Sequence, residues 1–301
     1  MVEYPLRSGV ENGAWLNPAN IAEFARVAEE AGVDGIALTD HPAPSRKWLD
    51  AGGHATLDPF AGLAFMAAAT STIRVMTYLA VVPFRNPLLQ AKSMTAVDVL
   101  SGGRATFALG TGYLRSEFLA LGVEMDERNE LFDEAVEVLH GLWASPEEFH
   151  YEGKHFHARG VTLEPKPVQT PHPPLWLGGN AKVVRDRVAA WGQGWAPLGG
   201  GVSARTTRTR AIESDEDLGR LILEIKDAMA GNGRDPESLD VCSAGTTAPP
   251  PEASADQRLD HYGTLGEIGV TWAPVSLGVM SFAETLEYLR RFGADVIAKS
   301  R

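Results

Sequence analysis

The sequence predicts an α/β protein whose parallel sheet closes into a barrel of about eight strand–helix units. Three observations favour this fold class: strands alternate with helices along the chain, the strands are apolar throughout, and glycine or proline separates the elements. Strands that are apolar on both faces are typical of a parallel sheet buried beneath helices. A doubly wound open sheet is the alternative, because the pattern alone does not show closure.

The first half of the chain contains clear strand–helix units. The helix predicted for residues 18–31 begins after Asn17 with Pro18 in its first turn, and Gly32 follows its end. Its apolar face has helical spacing and comprises Ile21, Phe24, Ala25, Ala28 and Ala31. The alternation then continues as strand 34–39, helix 58–72, strand 73–82, helix 86–103 and strand 104–112.

The same alternation returns in the second half of the chain. The predicted strands are 174–179, 194–198, 239–247 and 269–275, and the predicted helices are 181–191, 215–230, 255–267 and 281–293. A weak first strand near residues 6–11 brings the count to about eight units. We therefore expect residues 1–301 to form a single domain.

Two excursions interrupt the alternation. Residues 113–172 contain a predicted helix at 126–144 and then a long polar stretch, and residues 199–214 form a second one. Both follow the ends of strands. In a barrel they are insertion loops at the C-terminal face of the strands, where sites lie, so they are candidate lids or substrate walls.

Composition excludes several classes of function. The 301 residues are 44% hydrophobic and 22% charged, which is ordinary globular composition. The net charge of −12 argues against nucleic acid or an anionic membrane as a partner. The N-terminal residues lack the pattern of a signal peptide, and no apolar run approaches a membrane span. With Cys242 as the single cysteine, a cytoplasmic location is expected.

A titratable pair ends the strand predicted at residues 34–39. Asp40 and His41 follow it directly, and prolines at 42 and 44 prevent its continuation. In a parallel barrel the carboxyl ends of the strands meet at one shared face, where an aspartate can fix the tautomer of a histidine or keep it cationic. The alternative is that Asp40 caps the next turn and His41 is a packed edge residue.

Glycines follow two other strands. Gly110 and Gly112 would let the backbone approach a ligand closely, but they lack the spacing of a dinucleotide fingerprint. Gly178, Gly179 and Asn180 lead directly into a helix, whose first N–H groups favour phosphate. For Gly178, Gly179 and Asn180, a simple connection that needs glycine is the alternative.

Other polar residues have simpler interpretations. Four histidines crowd the first excursion without a regular metal-ligand spacing, which favours a solvated or substrate-facing loop: His150, His155, His157 and His172. Arg85 follows the third strand and fits an ion pair with an acidic neighbour at the surface. The basic cluster of Arg205, Arg208 and Arg210 fits either an anionic cofactor tail or, as we slightly favour, a solvated loop.

Six segments, in this order, resemble the bacterial luciferase-like monooxygenase superfamily. They are TDH (39–41), YLAVVPFRNP (78–87), DVLSGGRATFALGTG (98–112), FDEAVEVLHGLW (132–143), GVTLEPKPVQTPHPPLWLGG (160–179) and GQGWAPL (192–198). The chain is most similar to the branch described as coenzyme F420-dependent oxidoreductases. The resemblance covers nearly the whole chain and is strongest over residues 18–198.

This resemblance implies a (β/α)8 TIM barrel that holds a flavin or deazaflavin at the C-terminal face. It implies a non-prolyl cis peptide near Tyr78–Leu79, with Ala80 just beyond, in a bulge that supports the ring. Asp40 and His41 match a pair that lies against the ring, and His41 is the expected catalytic residue. Two further segments match cofactor contacts, at the ring edge and at the phosphate respectively: Thr111, Gly112 and Tyr113, and Gly178, Gly179 and Asn180.

The function implied by the resemblance is hydride transfer between coenzyme F420 and a small organic substrate. The alternative is an FMN-dependent monooxygenase, and a non-catalytic flavin-binding protein is a third hypothesis. Tyr113 stands where deazaflavin dehydrogenases can hold a catalytic carboxylate, so that mechanism does not carry over. An apolar or planar substrate would suit the aromatic side chains expected at the site, Trp15, Trp48, Phe84 and Tyr113. Homodimers are common in this family.

Overall fold

The computed structural model describes residues 1–6, 13–199, 207, 209–243, 249 and 253–300. Its strands are β1 (Val2–Glu3), β2 (Gly35–Leu38), β3 (Arg74–Val81), β4 (Ala105–Gly110), β5 (Phe149–Glu152), β6 (His157–Val161), β7 (Leu175–Gly178), β8 (Gly194–Ala196) and β9 (Asp240–Val241). Its α-helices of five residues or more are α1 (Pro18–Glu30), α2 (Arg46–Asp50), α3 (Pro59–Ala68), α4 (Pro87–Ser101), α5 (Arg115–Ala120), α6 (Arg128–Ala144), α7 (Lys182–Ala190), α8 (Asp215–Gly231), α9 (Ala255–Glu267) and α10 (Phe282–Phe292).

Seven of these strands form one curled parallel sheet in the order β1-β2-β3-β4-β7-β8-β9. The predicted parallel α/β fold is therefore confirmed. The first strand of the described sheet is Val2–Glu3. Most of the weak strand predicted near residues 6–11 falls within residues 7–12, which lie outside the described part of the chain. Of the predicted strand 239–247, the described residues contain only β9 and a bridge from Cys242 to Trp272.

The segment 271–275 lies between the two edge strands of the sheet. The backbone N–H groups of Thr271 and Trp272 donate to the Val241 carbonyl oxygen, and that of Val275 donates to the Met1 carbonyl oxygen. The prediction of a regular strand at 269–275 is wrong, because this segment is irregular apart from its single bridge. Pro274 provides a physical reason, since proline has no N–H to donate to a ladder.

The strands of the seven-stranded sheet are mostly apolar because both faces of this sheet are buried. Ile36, Val75 and Phe107 belong to the large core between the sheet and the helices. The residues that alternate with them form a second core inside the curled sheet: Met1, Ala37, Met76, Ala108, Trp176 and Cys242. Within the described residues, no helix is long and apolar enough to cross a membrane.

Three helices that follow or flank the sheet begin in the same way. The side chains of Asn17, Asp58 and Asn86 accept a hydrogen bond from the first turn of α1, α3 and α4 respectively, and a proline follows each of them. A side-chain cap followed by proline fixes the first residue of a helix. The residues that start these three helices can therefore be read from the sequence.

The excursion 113–172 is more structured than the sequence predicts. It contains α5, α6 and an antiparallel hairpin of β5 and β6 that the sequence did not reveal. Its last part is fixed by Asp98, a fully buried carboxylate on α4 that accepts hydrogen bonds from the backbone N–H groups of Val168 and Gln169. The first excursion therefore packs against the sheet. Of the second, residues 200–206 and 208 lie outside the described part of the chain.

His140 on α6 is expected to make the protein sensitive to acid. Burial lowers the pKa of His140 to about 4 from an ordinary 6.5, and the charge of His172, stacked on it at 4.9 Å, contributes. Below pH 6.5 the unfolded chain therefore binds a proton that the native state excludes, and stability falls as the pH drops towards 4. We expect urea unfolding to show a loss between pH 7 and pH 5 that His140→Phe reduces. The exposed His150→Phe is the control, and an equal effect of both variants would contradict the assignment.

Candidate active site

The carboxyl ends of β2, β3, β4 and β7 bring most of the predicted site residues together. His41 follows β2 and its ring lies 6.0 Å from that of Tyr113, which follows β4. Leu79 on β3 lies against Gly110 and Gly178 at the ends of β4 and β7. Parallel strands place their carboxyl ends at one edge, which is why residues far apart in sequence meet here.

Asp40 is almost completely buried and both of its carboxylate oxygens are engaged. Oδ2 accepts hydrogen bonds from the Val81 backbone N–H at 2.9 Å and from Arg85 at 2.5 Å, and Oδ1 accepts a second bond from Arg85 at 3.0 Å. Arg85 also reaches Asp58. Burial alone would lower the pKa of Arg85, but the hydrogen bonds to Asp40 and Asp58 outweigh it and raise that pKa. The partner of Arg85 is therefore a buried acid at the strand end, rather than a surface acid alone.

His41 contacts a residue that the sequence did not indicate. Its Nδ1 lies 3.1 Å from Oε2 of Glu117 on α5, and Oε1 of the same carboxylate accepts a hydrogen bond from the Ala43 backbone N–H at 3.2 Å. The side chain of His41 is 8% exposed and that of Glu117 is 1% exposed. The local sequence does not distinguish Glu117 from other acids of the excursion, because its contact depends on α5 lying beside the end of β2.

Three aromatic rings surround the imidazole of His41. Trp48 lies 4.6 Å away, His54 meets it edge-on at 5.0 Å, and Tyr113 is the third. Burial raises the pKa of Tyr113 to about 12, and the negative charge of Glu117 adds to the rise. Tyr113 is thus a neutral phenol at physiological pH, so it can donate a hydrogen bond but cannot act as a base.

The other two predicted aromatic residues lie elsewhere. Trp15 packs between Tyr4, Phe24 and Phe282 in the large core. Phe84 packs on Phe118 in a small cluster beside the site.

The predicted cis peptide lies between Tyr78 and Leu79, and this prediction is confirmed. The register of β3 against β4 shifts between Thr77 and Ala80, so the predicted bulge is also present. On one side of the bulge, Tyr78 packs against the core inside the sheet, where burial raises its pKa well above the ordinary value. On the other, Leu79 covers Gly110 and Gly178, and a Cβ at either glycine would overlap the Leu79 side chain.

Two of the remaining glycines have backbone conformations that favour glycine. Gly112, after Thr111, has a φ of 78° and lies so close to Val81 and Phe118 that a Cβ would collide with them. Gly179 has a φ of 119°. Both positions therefore tolerate no ordinary side chain.

The predicted phosphate loop is held by Asn180. This fully buried side chain donates to the carbonyl oxygens of Leu198 and Arg210 and accepts from the Leu198 N–H. Helix α7 then begins at Lys182 without a side-chain cap on its first turn. Asn180 thus connects the segments after β7 and β8, and the uncapped helix start is what could receive a phosphate.

The basic cluster is only partly described. Arg210 pairs with Asp217 at the start of α8 at 2.6 Å, so its charge is already matched within the chain. Arg205 and Arg208 lie outside the described residues.

Two other features lie apart from this site. Glu127, Glu130 and His155 come together, but the Lys154 ammonium group lies 2.6 Å from Glu130 and already supplies a cation. A cavity of about 790 Å³ opens at the opposite end of the sheet, beside Arg74 and Asp240 at the amino ends of β3 and β9. We assign the candidate site to the carboxyl ends, where the histidine, the bulge and the glycines meet.

Comparison with known proteins gives a family match over most of the chain. Residues 4–267 match the family described as luciferase-like monooxygenase. An FMNH(2)-dependent dimethylsulfone monooxygenase from Pseudomonas putida is 33% identical over 132 residues, which cover 42% of this chain and 36% of that protein. An F420-dependent glucose-6-phosphate dehydrogenase from Microbacterium testaceum is 26% identical over 278 residues, which cover 91% of this chain and 74% of that protein. The chain thus spans about a third of the first relative's length.

Solved structures share the fold at low sequence identity. The monooxygenase RslO1 from Streptomyces bottropensis superimposes with a TM-score of 0.81 and 22% identity, covering 100% of this chain and 99% of that one. The coenzyme F420-dependent tetrahydromethanopterin reductase from Methanopyrus kandleri gives a TM-score of 0.75 and 16% identity, covering 100% and 98%. At these identities the likeness concerns the fold alone.

Replacing Asp40 by asparagine is expected to destabilise the protein. The variant removes the buried charge that Arg85 faces, and breaking a buried ion pair costs roughly 3 kcal/mol at the lower end of the usual range. We expect the lower end because Asp58 still contacts Arg85. Urea unfolding measures this change. The control is Asp50→Asn, which breaks an exposed pair with Arg46 and should change stability little. Equal effects of the two variants would refute the role given to Asp40.

Proposed function

The chain belongs to the luciferase-like monooxygenase family, and from this premise we propose that it is an F420-dependent oxidoreductase that transfers a hydride to or from a small organic substrate. The proposal rests on the position of His41: Glu117 holds it at the carboxyl edge of the sheet, beside the bulge on β3 that contains Leu79. The relative named for F420 also aligns with 91% of this chain, against 42% for the relative named for FMNH(2).

The residues at this edge fit a flat tricyclic ring and a phosphate. Leu79 covers two glycines, so its apolar side chain presents a smooth surface that a ring can rest on. The segment of Thr111, Gly112 and Tyr113 borders the same edge. The phosphate would lie after β7. The chain there passes through Gly178, Gly179 and Asn180 to the uncapped start of α7, whose first backbone N–H groups suit a phosphate.

The proposed mechanism assigns distinct tasks to the side chains. A reduced deazaflavin, when bound, supplies a hydride, which carries two electrons. His41 supplies or accepts the accompanying proton, so that a reduced substrate gains one hydride and one proton. Its Nε2 is the available atom, since Nδ1 faces Glu117 and Nε2 makes no hydrogen bond to the described residues. Trp48 and Tyr113 hold the imidazole ring in place, and Asp40 supports the bulge through Val81.

An FMN-dependent monooxygenase is the second candidate, and one observation favours it. The tail of coenzyme F420 is long and polyanionic, and Arg210 is one of three arginines that fit either such a tail or, as we slightly favoured, a solvated loop. Arg210 instead pairs with Asp217, which removes part of the reason for expecting a polyanionic ligand.

We further propose that residues 1–301 form a single (β/α)8 barrel, with residues 271–275 in the place of the eighth strand. Support comes from the backbone hydrogen bonds that this segment makes to Val241 at one edge and to Met1 at the other. The irregular conformation of this segment is compatible with closure of the barrel, because backbone groups at both edges of the sheet still have hydrogen-bond partners.

A homodimer is proposed on the basis of the outer surfaces of α3 and α4, which pack side by side. Their exposed residues are Ala61, Phe65, Ala68, Leu89, Lys92, Ala96, Val99 and Leu100. None of these is acidic, although the chain has a net charge of −12. Two negatively charged copies could approach through this surface with little repulsion.

Fluorescence titration with F420 and, separately, FMN tests the proposed function. We expect tight binding of F420 and weak binding of FMN; the reverse preference would replace the proposal by the monooxygenase.

Gly178→Ala should weaken the binding of either cofactor, because the added Cβ displaces Leu79 into the space proposed for the ring. The control is Gly263→Ala, where a Cβ meets nothing within 4 Å. An unchanged affinity of Gly178→Ala would contradict the placement of the ring on Leu79.

Sedimentation analysis tests the homodimer. We expect the wild-type chain to sediment as a dimer and Leu89→Glu to sediment as a monomer, because Leu89 is 68% exposed on α4 and a buried glutamate would repel its copy. Leu223→Glu on α8 is the matched control, since Leu223 is 62% exposed. A monomeric wild-type protein would overturn the proposal.

A further inference from the structure

Glu117 is a buried carboxylate whose side-chain hydrogen bonds, among the described residues, go to the loop that follows β2. Its side chain is 1% exposed, and it reaches His41 and the backbone of Ala43. Among the described residues, no lysine or arginine forms an ion pair with it. Burying an acid without a cationic partner costs folding free energy unless hydrogen bonds to the carboxylate compensate for the lost hydration. The two contacts of Glu117 therefore require an explanation.

The proton on this pair can occupy one of two places. The Ala43 N–H is a donor, so Oε1 of Glu117 must accept there. If Glu117 is ionised, Oε2 is also an acceptor and Nδ1 of His41 must carry the proton. If Glu117 is instead protonated, its hydroxyl donates to Nδ1 and the imidazole carries its proton on Nε2. The first arrangement lets both N–H groups stabilise the carboxylate, and we adopt it for that reason.

The surroundings of His41 favour a fixed ring orientation. Trp48 and His54 contact the imidazole, and Nε2 of His54 is itself held 3.0 Å from the Thr39 hydroxyl. The imidazole is therefore held by aromatic rings as well as by Glu117, which occupies its Nδ1. The nitrogen that remains for a substrate is Nε2.

We propose that Glu117 is a positioning residue that keeps a proton on Nδ1 of His41 and so reserves Nε2 for proton exchange with the substrate. This inference rests on the proposed function, in which His41 exchanges a proton. A carboxylate that holds the distal nitrogen of a histidine fixes its tautomer and stabilises its cation without touching the substrate. Glu117 also ties α5 to the loop after β2 through Ala43, so the two sides of the site keep their spacing.

The tautomer of His41 can be read directly by long-range ¹H–¹⁵N correlation spectra of the full-length protein labelled with ¹⁵N-histidine. The spectra are recorded at a pH of about 9, where imidazole side chains are neutral. His41→Gln identifies the signals of His41. We expect the Nδ1-protonated tautomer in the wild-type protein and its loss in Glu117→Ala, with the exposed Glu147→Gln unchanged. An Nε2-protonated His41 in the wild-type protein would overturn the proposal, whether or not the variant folds.

A second measurement separates this inference from the proposed function. The Glu117→Gln variant keeps the size of the side chain but has one acceptor oxygen for two N–H groups, so it should lose the Nδ1-protonated tautomer partly while binding F420 like the wild-type protein. An unchanged tautomer in both Glu117 variants would refute the positioning role even if F420 binds. Failure of the wild-type protein to bind F420 or FMN would instead refute the proposed function and leave the tautomer result standing.

Discussion

The buried ion pair between Asp40 and Arg85 is the interaction on which the rest of the site depends. Asp40 ends β2, Arg85 follows β3, and the same carboxylate accepts the Val81 N–H. Arg85 also reaches Asp58, which caps α3. One buried acid thus joins two strand ends and a helix start. Because charges buried together are strongly coupled, these elements keep one relative position.

The bulge on β3 shapes the surface that we propose binds the cofactor. Its register shift sends Tyr78 towards the core inside the sheet and Leu79 towards the glycines at the ends of β4 and β7. In a regular strand the side chains also alternate between the two faces of the sheet. A bulge additionally bends the backbone locally, here at the end of β3. The absence of side chains at Gly110 and Gly178 is therefore explained by Leu79, which a Cβ at either position would overlap.

Buried carboxylates of this acidic chain divide into two kinds. Asp40 faces a guanidinium group, and Asp98 faces backbone N–H groups, so both hold the fold together. Glu117 faces the imidazole of His41. The same type of residue therefore contributes rigidity at two positions and, at the third, contacts the histidine for which proton exchange is proposed.

The sequence by itself indicated the parallel α/β fold and, through the family resemblance, the position of the cis peptide. These depend on apolar runs, on turn residues and on an ordered set of motifs, all of which are local in the chain. Only the tertiary structure decided that Arg85 pairs with Asp40, that Glu117 contacts His41 and that Gly178 accommodates Leu79. These pairs are separated by 45, 76 and 99 residues respectively. Their contacts arise because parallel strands gather distant loops at one edge, and no local pattern records which loops will meet.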